Sequence, residues 1–197
     1  MSETRGPWTV HTTRLAYENP WLAVREHDVT RPDGLPGLYG VVSPKNLAIG
    51  VLPVFADGTT VLVGQYRFAL DAYSWELPEG GGPKDAPPLE SAKRELAEET
   101  GLSAARWLEF LQMDVSNSVT DERAHAFLAW ELTEGRAAPE GTEDITTRRI
   151  SIQQALEESM TGRIRDAFTL AMLAKADYMA RRGLLDPGLA AAILSRP

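Results

Sequence analysis

The chain predicts an α/β fold, an α+β sandwich in which a mixed β-sheet is flanked by helices and a small antiparallel β-appendage precedes it. Three observations lead there. The first 45 residues are rich in β-branched and aromatic types broken by turn signals, and two apolar strand-like runs follow between residues 47 and 68. A helical pattern at 88–100 is inserted between strands, and further helices gather after residue 150. Strands, one helix, more strands and then helices is the order of a layered domain.

Each element has a local reason. WTVHTTRLAY (8–17) and WLAVREHDVT (21–30) read as strands with Glu18-Asn19-Pro20 turning between them. RPDG (31–34) is a turn, a third strand runs through Leu38 to Val42, and Ser43-Pro44-Lys45-Asn46 breaks the pattern. LAIGVLPVF (47–55) and TTVLVGQYRF (59–68) are joined by Ala56-Asp57-Gly58, a hairpin signature. SWEL (74–77) is a short strand running into PEGGGP (78–83), read as a loop. From Pro88 to Thr100, Leu89, Ala92 and Leu96 form an apolar stripe expected opposite the acidic residues, with Gly101 as C-cap. Strands are expected at 107–114, 124–132 and 145–150, with the polar loop 133–144 before the last. Ser151 is an N-cap for SIQQALEESM, a helix spans about 165–182, and a short one lies near 187–195. The expected divisions are an appendage over 1–45, a main domain over 46–182 and a helical tail over 183–197.

Composition narrows the function. The 197 residues are 43% hydrophobic and 24% charged, ordinary for a globular chain. There is no cysteine, hence no disulfide framework, thiolate metal site or cysteine nucleophile. Twenty basic against 28 acidic residues give a net charge of −8, with no basic stripe to suit a nucleic acid. No apolar run approaches membrane-spanning length and MSETRGPWTV has no signal-peptide core, so no membrane is expected and a soluble, cytoplasmic protein is.

RELAEETGL (94–102) concentrates charge on one helix. Glu95, Glu98 and Glu99 fall at offsets of three and four, where like charges destabilise a helix by roughly 0.2–0.5 kcal/mol per pair. A solvated face would alternate such charges with lysine at i+4, and this one does not. PEGGGP precedes the helix and lets backbone approach a ligand closely. Carboxylates on a rigid helix beside such a segment suit Mg²⁺ or Mn²⁺, which take oxygen ligands and share them with substrate phosphates. Other chemistries fit less well. His11, His27 and His125 are isolated, no G-x-S-x-G elbow exists, and GGGPK (80–84) lacks P-loop spacing.

These residues resemble the NUDIX box, a glycine, a glutamate six further on, then R-E-U-x-E-E-x-G-U with U aliphatic. Gly80 supplies the glycine and Arg94 to Leu102 match the second half at every specified position. Ala86 stands where the glutamate is expected, which bears on loop geometry, and Asp85 or Glu90 could substitute in part. The appendage, Gln65-Tyr66-Arg67, Trp75-Glu76-Leu77-Pro78 and IRDAFTLAML (164–173) look like ADP-ribose pyrophosphatases and related nucleoside diphosphate sugar hydrolases.

The resemblance implies a NUDIX fold and metal-dependent hydrolysis of a nucleoside diphosphate sugar such as ADP-ribose or GDP-mannose. It implies a homodimer through the N-terminal appendage, with that appendage contributing nucleotide contacts. Glu95 and Glu99 would be the main metal ligands, with Glu98 ligating or adjacent and the main-chain carbonyl of Glu79 a further ligand. Arg94 would orient the glutamates, Arg67 would contact the diphosphate and Glu76 would face the same cleft. Glu143 is the preferred loop carboxylate and general base, with Asp144 and Glu140 as alternates. Trp21 and Tyr39 match aromatic positions that sandwich the base between subunits. The family stretch S-P-G-x-S-D-E corresponds to Ser116 through Glu122, where Asn117 replaces the proline and Asp121 persists. That departure leaves room for sugar nucleotides other than ADP-ribose. Two alternatives stand beside this reading. One is a pyrophosphatase for dinucleotides or nucleoside triphosphates, and the other a nucleotide-sugar sensor without catalysis.

Overall fold

Residues 49–54 are buried without a break, so their run of apolar side chains reflects a strand covered on both faces. They belong to β5 (Asn46–Val54) in a computed structural model that describes residues 2–138 and 144–195. The chain divides into two units. One comprises Met1–Leu47 with Asp114–Arg123, the other Ala48–Met113 with Ala124–Pro197.

In the first unit, β1 (Glu3–Arg5), β2 (Trp8–Glu18), β3 (Leu22–Thr30) and β4 (Pro36–Pro44) form an antiparallel sheet in that order. The Asn19 side chain shapes the first turn by accepting the N–H groups of Trp21 and Leu22 at 2.9 and 2.8 Å. RPDG closes the next turn, the Gly34 N–H donating to the Arg31 carbonyl. β1 lies before the first expected strand, and β4 extends beyond Leu38–Val42 at both ends. Residues 114–123 return to this unit, where Thr120 bridges to Val42.

The second unit holds two sheets. One is ordered β8 (Glu79–Pro83), β5, β10 (Arg123–Glu134), β9 (Leu102–Asp114). Within it β10 runs parallel to β5, pairing Ala124 with Ala48 through to Trp130 with Val54. The other is antiparallel, with β6 (Thr59–Arg67) between β11 (Thr146–Ser151) and β7 (Ala72–Glu76). The turn expected at 56–58 forms, the Gly58 N–H donating to the Phe55 carbonyl. The hairpin does not, because β5 and β6 enter different sheets. Both are buried on both faces over most of their length, and each becomes an inner strand of its own sheet. The segment 79–83, expected as a loop, is instead the edge strand β8.

The helices are α1 (Pro88–Thr100), α2 (Ile152–Met160), α3 (Ala167–Arg181) and α4 (Pro187–Leu194). Gly101 ends α1 at φ 73°, and its N–H returns to the Ala97 carbonyl. Ser151 caps α2 by accepting the Gln154 N–H. Asp166 and Asp186 cap α3 and α4 in the same way. Phe168, Met172, Leu173 and Ala176 of α3 share one core with Leu52, Leu62, Leu77 and Leu128, and Leu189 and Ile193 of α4 join it.

A partly buried ion pair ties α2 to β11. Arg148 donates to Glu158 at 2.7 Å, and Gln154 adds a bond at 3.2 Å. Burial raises the Glu158 carboxyl, but Arg148 and Gln154 outweigh it and hold the group below its ordinary value. A carboxyl held lower in the folded chain than in the unfolded one stabilises at neutral pH, and loses that contribution as pH falls through the folded value. The stability gap between the parent chain and Glu158→Gln should therefore be widest near neutrality and close below the ordinary glutamate value of 4.5. Urea denaturation from pH 7 to pH 3 checks this, and a gap independent of pH counts against it.

Candidate active site

Helix α1 starts at a proline pair, Pro87-Pro88, and lies against β8. Its inward side carries Ala92 and Leu96, but also Glu95 and Glu99, which are 6% and 2% exposed. The expectation that the glutamates lie opposite the apolar stripe is thus corrected. With 3.6 residues per turn, Glu99 falls about 20° from Ala92 on the helix circumference and Glu95 about 40° further round, so both border the apolar stripe. Glu98 is the more accessible of the three, its side chain 30% exposed.

β8 makes the space. A Cβ on Gly80 would fall 2.0 Å from the Glu95 carboxyl carbon, and one on Gly82 would fall 2.8 Å from Ser91 Oγ. The strand therefore meets the helix with backbone alone.

Burying carboxylates costs several kcal/mol per ion unless partners compensate. Arg94 donates Nη2 to Glu95 at 2.6 Å and Nη1 to Glu98 at 2.8 Å, and Nη2 also reaches the Gly81 carbonyl at 2.8 Å. Burial disfavours the charged guanidinium, but the two carboxylates outweigh it and hold Arg94 above its ordinary value. Glu99 accepts the backbone N–H of Glu79 at 3.1 Å. The Glu79 side chain accepts a bond from Thr169 Oγ1 at 2.8 Å. Burial first, then the charge of Asp166, push the Glu79 carboxyl well above its usual range, with the Thr169 bond opposing them.

Arg67 on β6 and Glu76 on β7 are brought together as a two-pronged pair. Arg67 Nε donates at 3.0 Å to one Glu76 oxygen and Nη2 bonds the other. The Glu76 bond holds Arg67 above its ordinary value against burial. Glu76 also lines a cleft of about 450 Å³ with Tyr73, Trp75, Arg163 and Asp166, a size typical of small-molecule sites.

Trp21, Tyr39, Asn117 and Asp121 belong to the first unit. Trp21 is 74% exposed. The Tyr39 hydroxyl donates to the Ser118 carbonyl at 2.7 Å, and its ring meets Trp8 edge-on at 5.3 Å. Tyr39 pairs across strands with His27, whereas Trp21 adjoins the Leu22–Pro44 pair. About five strand residues at ~3.3 Å each separate those two levels, so one chain does not place both aromatics on one ring. Asn117 is exposed in the turn Ser116–Val119, and Asp121 accepts from Ser43 at 2.8 Å. Glu143 and Glu140 lie outside the described residues, and Asp144 is exposed. Glu90 is exposed and pairs with Lys93. Asp85 is also exposed.

Sequence reading missed Thr169, Asp166 and the Gly81 carbonyl. The Asp166-x-x-Thr169 spacing is a helix N-cap signal, but nothing in it points to Glu79.

Among the described residues, no three Asp, Glu or His side chains are grouped to hold an ion. The donor chemistry still suits a hard divalent cation. Glu95 and Glu99 are buried oxygen donors one helical turn apart, with the Glu95 carboxylate seated directly against the Gly80 backbone.

The family models decide the identity. A NUDIX domain model matches residues 44–170, and a nucleoside diphosphate sugar hydrolase N-terminal domain model matches residues 8–42. The chain belongs to the NUDIX family. It is a NUDIX hydrolase, similar to an ADP-ribose pyrophosphatase of Mycobacterium tuberculosis (strain ATCC 25618 / H37Rv), with 30% identity over 86% of this chain and 80% of that one. An ADP-ribose pyrophosphatase of Bacillus subtilis (strain 168) is 31% identical over 72% of this chain and 77% of its own. A crystal structure of an ADP compounds hydrolase superposes with a TM-score of 0.79, covering 93% of this chain and all of that one. At 16% identity that likeness shows the fold alone. The NUDIX fold expected from the box is therefore present, with its antiparallel N-terminal sheet. Among the described residues no helix is long and apolar enough to cross a membrane.

Gly80→Ala should destabilise this NUDIX domain by about 1–3 kcal/mol, the usual cost of overpacking, because its Cβ overlaps the Glu95 carboxylate. Urea denaturation measures that loss. An unchanged midpoint would show that helix and strand separate freely.

Proposed function

We propose that the chain hydrolyses the diphosphate bond of a nucleoside diphosphate sugar, with ADP-ribose or a close analogue as the first substrate to test. The products are a nucleoside monophosphate and a sugar phosphate. The observation that carries this is the pair of buried carboxylates, Glu95 and Glu99, set against a strand stripped of side chains at Gly80. The names of the two pyrophosphatase relatives support the substrate class.

Glu95, Glu99 and the main-chain carbonyl of Glu79 would hold Mg²⁺ or Mn²⁺, with Glu98 beside them. A bound divalent cation supplies charge to offset the diphosphate and lowers the pKa of the attacking water. Arg94 keeps the Glu95 and Glu98 carboxylates in one orientation through its two-armed contact. Water attacks one phosphorus, the bridging P–O bond breaks, and the leaving phosphate carries the electron pair away. Glu143 takes the water's proton, or Glu98 does, since Glu98 is the accessible helix carboxylate. Arg67 engages Glu76 through Nε and Nη2. Its Nη1 forms no hydrogen bond among the described residues and is the group assigned to the diphosphate.

Trp21 and Tyr39 are assigned to the base, and their separation within one chain supports a site completed by a second copy. Asn117 and Asp121 are assigned to substrate selection, with Asn117 admitting sugars other than ribose, as in GDP-mannose. The working form is a cytoplasmic homodimer assembled through the N-terminal sheet, with no nucleic-acid partner.

Glu99→Gln should lower kcat by about 10²–10³, the usual cost of removing one charge-stabilising group, while leaving the melting temperature near that of the parent. Turnover unchanged in that variant would sink the assignment. A chelator should abolish hydrolysis, with activity returning on adding Mg²⁺ or Mn²⁺. Rates on ADP-ribose, ADP-glucose, GDP-mannose, UDP-glucose and NADH would rank the substrates. A preference for GDP-mannose over ADP-ribose is the outcome that ties Asn117 to specificity.

A further inference from the structure

Between β7 and β8 the chain passes from one sheet of the second unit to the other, and only Leu77 and Pro78 make the crossing. Neither residue lies within a strand, so their backbone groups need other partners. The Pro78 carbonyl accepts the Val51 N–H at 2.9 Å. The Leu77 N–H, on a fully buried residue, donates to Thr169 Oγ1 at 2.8 Å. That same hydroxyl gives its proton to Glu79 Oε1 at 2.8 Å. Thr169 is itself fully buried, and its own backbone N–H is fixed at 2.6 Å by the capping Asp166. One hydroxyl from α3 thus clamps both ends of the crossing. The residue at its far end, Glu79, is the one whose backbone N–H holds the Glu99 carboxylate.

We infer that Thr169 is a positioning residue for the cation site, acting through Glu79 on Glu99. This rests on the hydrolase reading above. A hydroxyl with one proton and one accepting lone pair in use is required at this point, since a methyl group in its place leaves the buried Leu77 N–H without its partner and leaves the Glu79 carboxyl with Asp166 alone. The start of β8 then loses the side-chain anchor that fixes Glu79 against α3, and the Glu79 N–H holds Glu99 less firmly. The hydroxyl touches neither substrate nor reacting atoms, so its effect should fall on cation affinity and kcat and leave KM unmoved.

The test compares the full chain with Thr169→Val, Thr169→Ser, Glu79→Ala and the Val/Ala double variant. Mn²⁺ binding is read by calorimetry without substrate, kcat and KM on ADP-ribose with Mg²⁺, and folding by thermal melting. Thr169→Val should weaken Mn²⁺ binding by about tenfold, within the range for residues that orient ligands, and lower kcat with KM held. Thr169→Ser should restore both to near the parent values. Glu79→Ala keeps the Thr169 bond to Leu77 and should weaken Mn²⁺ binding similarly, which covers the case that Thr169→Val does not fold. The two losses should not add in the double variant. Unchanged Mn²⁺ affinity in a folded Thr169→Val or Glu79→Ala variant overturns the role, as does a folded Thr169→Ser that fails to recover. A parent chain that binds Mn²⁺ and hydrolyses no nucleoside diphosphate compound refutes the proposed activity but leaves the positioning readout standing. A parent chain that binds no Mn²⁺ overturns both.

Discussion

Helix α1 can sink two carboxylates below the surface because the strand facing it carries no side chain at Gly80. With the Gly80 position only 2.0 Å from the Glu95 carboxyl carbon, even one methyl group would displace the acid. The rest of the site follows from that approach. β8 must be an edge strand of glycines, which supply no side chain to pack and weaken a strand. It is held instead by its neighbours. Arg94 binds the Gly81 carbonyl, Glu99 binds the Glu79 N–H, and Thr169 fixes the crossing that leads into the strand. A weak strand stabilised by the groups it positions links local instability to function.

The turn at 56–58 closes, yet the strands on either side of it do not pair into a hairpin. β5 and β6 are both apolar on two faces, and each is covered by neighbouring strands on both edges. Sending them to separate sheets gives β5 two neighbours, β8 and β10, and gives β6 two neighbours, β11 and β7. Helix α3 packs into the core these strands share, placing Thr169 at the crossing from β7 to β8.

Much of this is legible in the sequence where the signal is local. The ends of α1 follow from Pro88 and Gly101, and Ser151 marks the start of α2, because capping involves residues within one turn of each other. The glutamates are legible as a cluster. Their face is not, because counting charge alone ranks Glu95 and Glu99 as polar and sets them opposite the apolar stripe. β8 reads as a loop because β-propensity rests on side chains that glycine lacks. The partners of β5 and the link from Thr169 to Glu79 join residues tens of positions apart, 90 in the latter case, and no periodicity encodes them. Trp21 and Tyr39 are legible as aromatics in strands, but their different levels on the sheet are set by register.

Ala86 departs from the NUDIX box, and the structure supplies a physical account of how a hydrolase tolerates it. A glutamate there would add a carboxylate two residues before the helix begins. Arg94 already has carboxylates on both terminal nitrogens and the Gly81 carbonyl as a third acceptor. It therefore gains little from another acid, and its hold on Glu95 and Glu98 does not depend on residue 86. The loop itself closes without the missing side chain, through the Ala86 N–H to the Pro83 carbonyl at 3.3 Å. A chain kept only for sensing a ligand would have no reason to retain three glutamates that repel one another along one helix. The loop closure and the two-armed Arg94 contact both form without an acid at residue 86.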